Sequence, residues 1–387
     1  MMTLLLVVIY IAFISLGLPD SLLGSAWPVM YEALGVSVSS AGVISMVIAG
    51  GTILSSLMSD RLIRRFGTGL VTTVSVALTA AALLGFSISD SFWQLCLWGI
   101  PYGLGAGSVD AALNNFVALH YKSRHMSWLH CFWGIGATLG PVIMGWCLTG
   151  GWKWNGGYRT IGLMQVVLVI GLMASLPLWK KAGASGAAEE TEGKRLTLPE
   201  ILRLPGAKPM MTAFFCYCAL ETTTGLWASS YMVLNRGIDA ETAAKWASLF
   251  YFGITAGRFL CGFVSDRAGD RRMVRWGQIA AGLGVLLVLL PLGNAVLFAG
   301  LILIGIGCAP IFPSLLHETP VNFGSENSQS IMGLQMASAY VGTTFMPPLF
   351  GLLAEKVSIR LYPVFLLVFV LLMTAMVERV NRVKKCM

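Results

Sequence analysis

Three acidic residues lie inside long hydrophobic stretches of the sequence, where a carboxylate could bind a proton or a polar ligand. Asp20, Asp110 and Glu221 are each embedded in mostly apolar sequence. A carboxylate in hydrocarbon costs on the order of several kcal/mol unless it is paired, hydrated or protonated. We therefore interpret all three as coupling groups, with Asp20 or Asp110 carrying the proton and Glu221 contacting substrate or coupling ion. A hydrogen bond between helices is the structural alternative for each acid.

Amide and aromatic side chains in the same stretches could complete a site for a polyol. Hydroxyl groups pair with amides and carboxylates, while the C–H faces of a sugar stack on indole rings. Candidate substrate-binding residues are Trp27, Asn114, Asn115, Tyr217, Glu221, Trp227, Gln335 and Tyr340. His130 could protonate near neutral pH, but we favour a hydrogen bond to a neighbouring helix as its role.

The composition requires lipid as the solvent for most of these residues. Hydrophobic residues make up 56% of the 387 residues and charged residues only 11%, too few to cover a soluble core. A membrane-spanning helix needs about 20 mostly apolar residues, and the sequence contains twelve such stretches. We expect an all-α membrane protein with twelve transmembrane helices in two pseudo-symmetric six-helix bundles.

Lys and Arg concentrate in alternate connections between these stretches, which predicts the orientation. Basic residues beside membrane spans stay on the cytoplasmic side. We expect a multi-pass protein of a bacterial cytoplasmic membrane with both termini cytoplasmic. The formal charge of +8 then reflects topology, and we expect no nucleic-acid partner. A polar stretch at 181–208 is predicted to link an N-terminal bundle at 1–180 to a C-terminal bundle at 209–387.

The two halves repeat each other at nearly constant offsets. Asp60-Arg61 and Asp266-Arg267 each end a hydrophobic run and are 206 residues apart, as are Pro141 and Pro347. Asp20 and Glu221 are 201 residues apart, and each is followed four residues later by glycine. Parallel halves of this kind place a substrate site at the centre of a transporter that rocks around it.

Each Asp-Arg turn is predicted to act as a gate. A basic cluster at a helix end can hold carboxylates or helix C-termini and keep one conformation closed. We expect the same of Arg258, paired with a gate carboxylate. The alternative is that these charges only set the topology. Candidate gate residues are Asp60, Arg61, Arg65, Arg258, Asp266, Arg267 and Arg271.

The second turn, Gly262-x-x-x-Asp266-Arg267-x-Gly269-x-Arg271-Arg272, resembles the motif between paired helices of the major facilitator superfamily. The first copy departs from it, with Ser56 and Ile63 where glycines are expected. Four further stretches resemble the fucose permease and sodium-dependent glucose transporter group. They lie at Gly17-Leu18-Pro19-Asp20, Gly103 to Asn114, Leu129 to Pro141 and Gly305 to Pro313. In that group, acids in spans one and four are associated with proton coupling and sugar recognition, which here implies Asp20 and Asp110.

The resemblance implies a secondary active transporter that uses alternating access. We expect proton-coupled symport of a hexose or related sugar by a monomer, with sodium as the alternative coupling ion and no other cofactor. Proton-coupled efflux of a lipophilic drug or metabolite is the competing hypothesis, favoured by the small residues around Pro141 and by 19 Met residues. No nucleophile, phosphate-loop or metal motif favours an enzyme.

Overall fold

A computed structural model describes residues 2–37, 40–185, 196–238 and 240–385, which are helical apart from short connections. The first two helices of the first half are separated only by Ser21. The helices of this half are α1 (Met2–Asp20), α2 (Leu22–Leu34), α3 (Ala41–Phe66), α4 (Thr68–Ile88), α5 (Phe92–His120), α6 (Ser123–Thr149) and α7 (Lys153–Ser185).

The second half repeats the series after one short helix. Its helices are α8 (Leu198–Arg203), α9 (Ala207–Arg236), α10 (Ala240–Ala268), α11 (Asp270–Leu289), α12 (Asn294–His317), α13 (Thr319–Phe323), α14 (Ser325–Leu353) and α15 (Tyr362–Lys385). A π-helical turn at Ala354–Ser358 and a 3-10 turn at Ile359–Leu361 connect α14 to α15.

The chain folds into two compact units. The first contains Met1–Phe116 and Leu129–Lys194, and the second contains Val117–Trp128 and Arg195–Met387. The division at 194 falls within the predicted linker, of which residues 186–195 lie outside the described part. Residues 117–128 comprise the end of α5, the connection at 121–122 and the start of α6, and their place in the second unit was not predicted from the sequence. We call residues 117–128 the connecting segment.

Eight stretches of the described residues are long and apolar enough to cross a membrane. One covers α1 and the start of α2, and one runs from α14 into α15. The other stretches are α3, α4, α6, α7, α11 and α12. The three remaining long helices, α5, α9 and α10, are the ones that carry Asp110, Glu221 and Arg258.

Pro19 removes one backbone hydrogen bond of α1 just before the acid. Pro19 has no N–H to donate to the carbonyl of Ser15, so one backbone bond of the helix is missing. The Gln165 side chain of α7 supplies the donor instead, at 2.8 Å from the Ser15 oxygen. The Gln165 oxygen in turn accepts from Thr79 on α4 at 2.9 Å. The buried Gln165 amide therefore replaces the hydrogen bond that Pro19 cannot donate.

Each unit contains the same close contact between helices. An added methyl group at Gly136 of α6 would overlap the backbone carbonyl of Ile14, and one at Gly342 of α14 would overlap that of Phe215. The glycines are 206 residues apart and the carbonyls 201 apart, which are the two offsets seen in the sequence. Small residues allow helix backbones this close approach in membranes. The internal repeat is therefore present as repeated packing inside each unit.

Candidate functional site

The helix break places Asp20 at an exposed position within a membrane-spanning stretch. Two neutral donors hold its carboxylate: Tyr102 of α5 donates from its hydroxyl at 3.1 Å, and Trp133 of α6 donates from its indole N–H at 2.8 Å. Each donor binds a different carboxylate oxygen. The arrangement orients the carboxylate without neutralising its charge.

The surface beside Asp20 is open. Gly24 lies one turn further along, is exposed, and has no atom within 4 Å of an added methyl group. The Trp133 indole is only partly buried. A small polar molecule at this surface could therefore reach both a carboxylate and an aromatic face.

Asp110 belongs to a buried chain of hydrogen bonds in the first unit. Its carboxylate accepts from the Asn114 amide at 2.8 Å, and the Asn114 oxygen lies 3.0 Å from the Nε2 atom of His130. The exposed fractions are 8% for Asp110, 0% for Asn114 and 6% for His130. The structure thus places His130 in a hydrogen bond to a neighbouring helix, while Asp110 accepts from a residue of its own helix, α5.

Glu221 pairs with a buried arginine in the second unit. The Arg258 guanidinium lies 3.6 Å from the Glu221 carboxylate, with exposed side-chain fractions of 4% and 17%. Arg258 also donates to the Tyr217 hydroxyl at 3.3 Å. The sequence analysis expected a gate carboxylate as the partner of Arg258. The structure instead turns Arg258 toward Glu221 and Tyr217 of α9.

The surroundings of Glu221 differ from those of Asp20. The Tyr251 hydroxyl occupies the space in front of Gly225, where an added methyl group would overlap it. The equivalent space in front of Gly24 is empty. The two acids that the repeat relates therefore have different access, and Asp20 is the more open of the two.

Several predicted substrate ligands pack inside their own unit. Trp27 is 6% exposed and belongs to the core of the first unit. Tyr217 is 1% exposed and donates to the Cys308 carbonyl at 3.1 Å. Gln335 is fully buried, and its amide donates to Thr319 at 2.9 Å. Asn114 is buried as well, and a substrate contact for any of these residues stays a prediction.

Of the other three candidates, one is buried and two are partly buried. Asn115 is 8% exposed. Trp227 is partly buried and donates from its indole to the Pro347 carbonyl at 2.9 Å. Tyr340 is partly buried on α14. Trp227 and Tyr340 keep exposed surface and stay candidates for ligand contact.

The acid of the first gate turn forms its ion pair within its own helix, α3. Asp60 is 6% exposed and accepts from Arg64 at 2.8 Å. Arg61 and Arg65 are exposed. Ser56, which replaces the leading glycine of the motif, donates to the Gly107 carbonyl at 3.2 Å. The altered first copy therefore forms a different contact from the intact second copy.

The second gate turn holds the connecting segment. Asp266 accepts from the Arg124 backbone N–H at 3.2 Å and lies 3.5 Å from its guanidinium. Gly262 leaves room for the Trp128 indole, which an added methyl group would overlap. The exposed Arg267 follows Asp266 directly. This turn and the connecting segment therefore pack together within the second unit.

Arg271 pairs with Glu318, which follows α12, at 3.3 Å. Burial and the nearby Asp270 carboxylate raise the pKa of Glu318 to about 7, while Arg271 and Asn322 oppose the shift. A carboxyl group with this pKa changes charge near neutral pH.

The sequence analysis did not select some residues that the structure brings to the sites. Tyr102 could have been found from spacing, because it lies eight residues before Asp110 on α5 and so shares its side of the helix. Ser21, Asp270 and His317 gave no comparable signal. Among the described residues, no group of three or more His, Cys, Asp or Glu could hold a metal ion.

The sequence profile of the Major Facilitator Superfamily matches residues 9–244 and 210–384. The chain belongs to this superfamily. It is therefore a multi-pass membrane transporter for a small molecule, and the resemblance and the fold class predicted from the motifs are confirmed.

Individual relatives match over most of their length. The chain is 24% identical over 401 residues to Bypass of stop codon protein 6 of Saccharomyces cerevisiae, covering 94% of this chain and 80% of that protein. It is 23% identical over 350 residues to the glucose/mannose transporter GlcP of Bacillus subtilis, covering 88% and 86%. The crystal structure of the E. coli fucose:proton symporter FucP matches with a TM-score of 0.80 at 15% identity, covering 98% of each chain. At this identity the structural match establishes the fold.

Proposed function

We propose that this transporter uses alternating access to carry a hexose or related sugar together with a proton. Asp20 is the coupling group in this proposal, and Trp133 and the carboxylate together form a polyol contact. The observation that most strongly supports this proposal is the exposed carboxylate of Asp20 between α1 and α2. Glu221 and Asp110 have supporting roles in their own units.

The surroundings of Asp20 suit a group that exchanges a proton. A charged carboxylate in a membrane-spanning stretch requires pairing, water or protonation. Tyr102 and Trp133 are neutral donors, so neither compensates the charge. The open surface gives water access. Glu221, by contrast, faces a guanidinium that compensates its charge, which makes it less suited to carry the transported proton.

The surroundings also suit a sugar. A hydroxyl of a hexose can donate to the Asp20 carboxylate while a C–H face rests on the partly exposed Trp133 ring. GlcP is named as a glucose/mannose transporter and FucP as a fucose:proton symporter. These two names support a hexose as the substrate class.

Uptake into proteoliposomes tests the proposal. We expect an inward proton gradient to drive accumulation of a hexose, and a sodium gradient at constant pH to leave it unchanged. Asp20→Asn should abolish accumulation while sugar exchange persists, because the amide keeps an oxygen for Trp133 but cannot carry the proton. Asp90→Asn is the control, because Asp90 is exposed in the turn before α5.

The outcomes separate the competing hypotheses. Accumulation driven by sodium would replace the proton with sodium as the coupling ion. An absence of hexose flux, together with proton-driven expulsion of a lipophilic cation or dye, would replace sugar uptake with efflux. Unchanged accumulation in Asp20→Asn would remove Asp20 from the coupling role.

A further inference from the structure

The His317 side chain, where α12 ends, lies between two hydrogen-bond acceptors. Its Nδ1 atom is 2.7 Å from the Asp270 carboxylate, and its Nε2 atom is 3.1 Å from the backbone carbonyl of Tyr121. All three residues belong to the second unit. The exposed side-chain fractions are 19% for His317 and 12% for Asp270, so protons can exchange with water.

This geometry fixes the number of protons. A carbonyl oxygen only accepts, so Nε2 must carry the hydrogen of that bond. A neutral imidazole has a single N–H, and its Nδ1 lone pair would then face a carboxylate oxygen. The short contact of 2.7 Å therefore requires one additional proton between His317 and Asp270.

The same pair holds the connecting segment. The Ser123 hydroxyl donates to the other oxygen of Asp270, and Tyr121 accepts from His317. Loss of the additional proton leaves either the bond to Asp270 or the bond to Tyr121 without a hydrogen. Protonation and attachment of the segment are therefore linked.

Two ion pairs have members next to Ser123, Asp270 and His317 in the sequence. Arg124 of the connecting segment pairs with Asp266 at 3.5 Å, and Arg271 of α11 pairs with Glu318 at 3.3 Å. The Arg124 pair has exposed side-chain fractions of 43% and 26%, and partly exposed pairs of this kind contribute little to stability. Arg124 alone should therefore hold the segment weakly.

We propose that His317 and Asp270 form a proton-binding site, separate from Asp20, whose occupancy fastens residues 117–128 to the start of α11 and the end of α12 within the second unit. The ligand is a proton from the aqueous phase at the end of α12. The site requires no sugar, so it stands or fails independently of the proposed substrate.

Limited trypsin digestion of the purified full-length protein in detergent tests this site. Lys122 and Arg124 lie in the connecting segment on either side of Ser123. We measure the cleavage rate at these residues at each pH from 6 to 9. Each rate is divided by the rate at which trypsin cleaves a synthetic peptide of residues 117–128 at the same pH. This ratio removes the pH dependence of trypsin itself. We expect it to rise by about tenfold per pH unit where the pair loses its proton.

Variants assign the effect to the pair. His317→Gln and Asp270→Asn should abolish the pH dependence of the ratio. Ser123→Ala should raise cleavage at every pH and keep the midpoint, because it weakens the attachment without touching the imidazole. Asp90→Asn is the matched control for Asp270→Asn and should behave as the unmodified protein, because Asp90 is exposed and belongs to the first unit.

A thermal melt of each variant checks that it is folded. If His317→Gln is not folded, the proposal is tested by Ser123→Ala, which should raise cleavage at every pH and keep the midpoint. A ratio that does not change with pH in the unmodified protein would overturn the proposal. The same rise in folded His317→Gln as in the unmodified protein would overturn it too.

Discussion

Ser21 donates a 2.7 Å hydrogen bond to the backbone carbonyl of Ala137. Pro141, one turn further along α6, has no N–H to offer that carbonyl. The residue in the break of one helix therefore satisfies the acceptor that a proline leaves in another. Two local defects next to Asp20 compensate each other across the contact between α1 and α6.

Removing this hydroxyl should destabilise the first unit. Ser21→Ala leaves the partly buried Ala137 carbonyl without this donor, which should cost about 0.5–1.5 kcal/mol, the net value of a typical hydrogen bond. Thermal unfolding in detergent measures the loss. Ser25→Ala is the control, since Ser25 donates to the Ser21 carbonyl, which also has a backbone donor at 3.2 Å. Equal losses in the two variants would show that the Ala137 carbonyl finds another donor.

The glycines of α6 should differ sharply in their tolerance of a methyl group. Gly136→Ala pushes α6 away from the Ile14 carbonyl and should cost roughly 1–3 kcal/mol, as overpacking does. Gly145→Ala meets no atom within 4 Å and should gain up to about 1 kcal/mol in helix propensity. Unfolding midpoints of the two variants provide the comparison. A similar loss for both would mean that the close contact does not determine the tolerance.

The internal repeat shows what the sequence can predict. Spacing alone related Asp20 to Glu221 and Pro141 to Pro347, and the contacts of Gly136 and Gly342 follow the same offsets. The lengths of the hydrophobic stretches and the Asp-Arg turns were sufficient to predict membership of the superfamily. These features are local in sequence or repeated within it, which is why they could be predicted without coordinates.

The partners of the ionisable groups could not be predicted in this way. Arg258 was expected at a gate and instead faces Glu221, because its partner depends on the rotation of α10 against α9. The grouping of residues 117–128 with the second unit depends on contacts more than a hundred residues apart, such as Arg124 with Asp266. Side-chain direction and long-range packing decided these outcomes, and neither leaves a periodic signal.

The buried pair of Arg258 and Glu221 should be strongly coupled in stability. Either Arg258→Gln or Glu221→Gln leaves one charge without its partner, which typically costs about 3–5 kcal/mol for a buried pair. The double variant should lose much less than the sum, because no uncompensated charge remains. Denaturant unfolding of the four proteins gives the coupling free energy.

The pair of Arg275 and Glu378 is the control for this cycle. Its atoms are closer, at 2.7 Å, but its exposed side-chain fractions are 51% and 32%. Burial, not distance, sets the cost of breaking a pair, so Arg275→Gln should lose less stability than Arg258→Gln. Additive losses in the Arg258 and Glu221 cycle would contradict the pairing.

Glu318 should make the stability of the second unit depend on pH. Its pKa is about 7 in the folded protein, against a usual value of 4.5, because burial and Asp270 disfavour the charged form. The folded protein therefore binds this proton more tightly than the unfolded chain does, and the unfolding free energy falls as pH rises from about 4.5 to 7.

Unfolding temperatures between pH 4.5 and 8 measure this dependence. Glu318→Gln should flatten the curve and raise the unfolding temperature at pH 8, where the carboxylate is charged in the unmodified protein. The variant gives up the ion pair with Arg271, whose side chain is 41% exposed and so contributes little. Glu355→Gln, at an exposed carboxyl group in the π-helical turn, should leave the curve unchanged. A lower unfolding temperature for Glu318→Gln at pH 8 would show that the bond to Arg271 outweighs the burial of the charge.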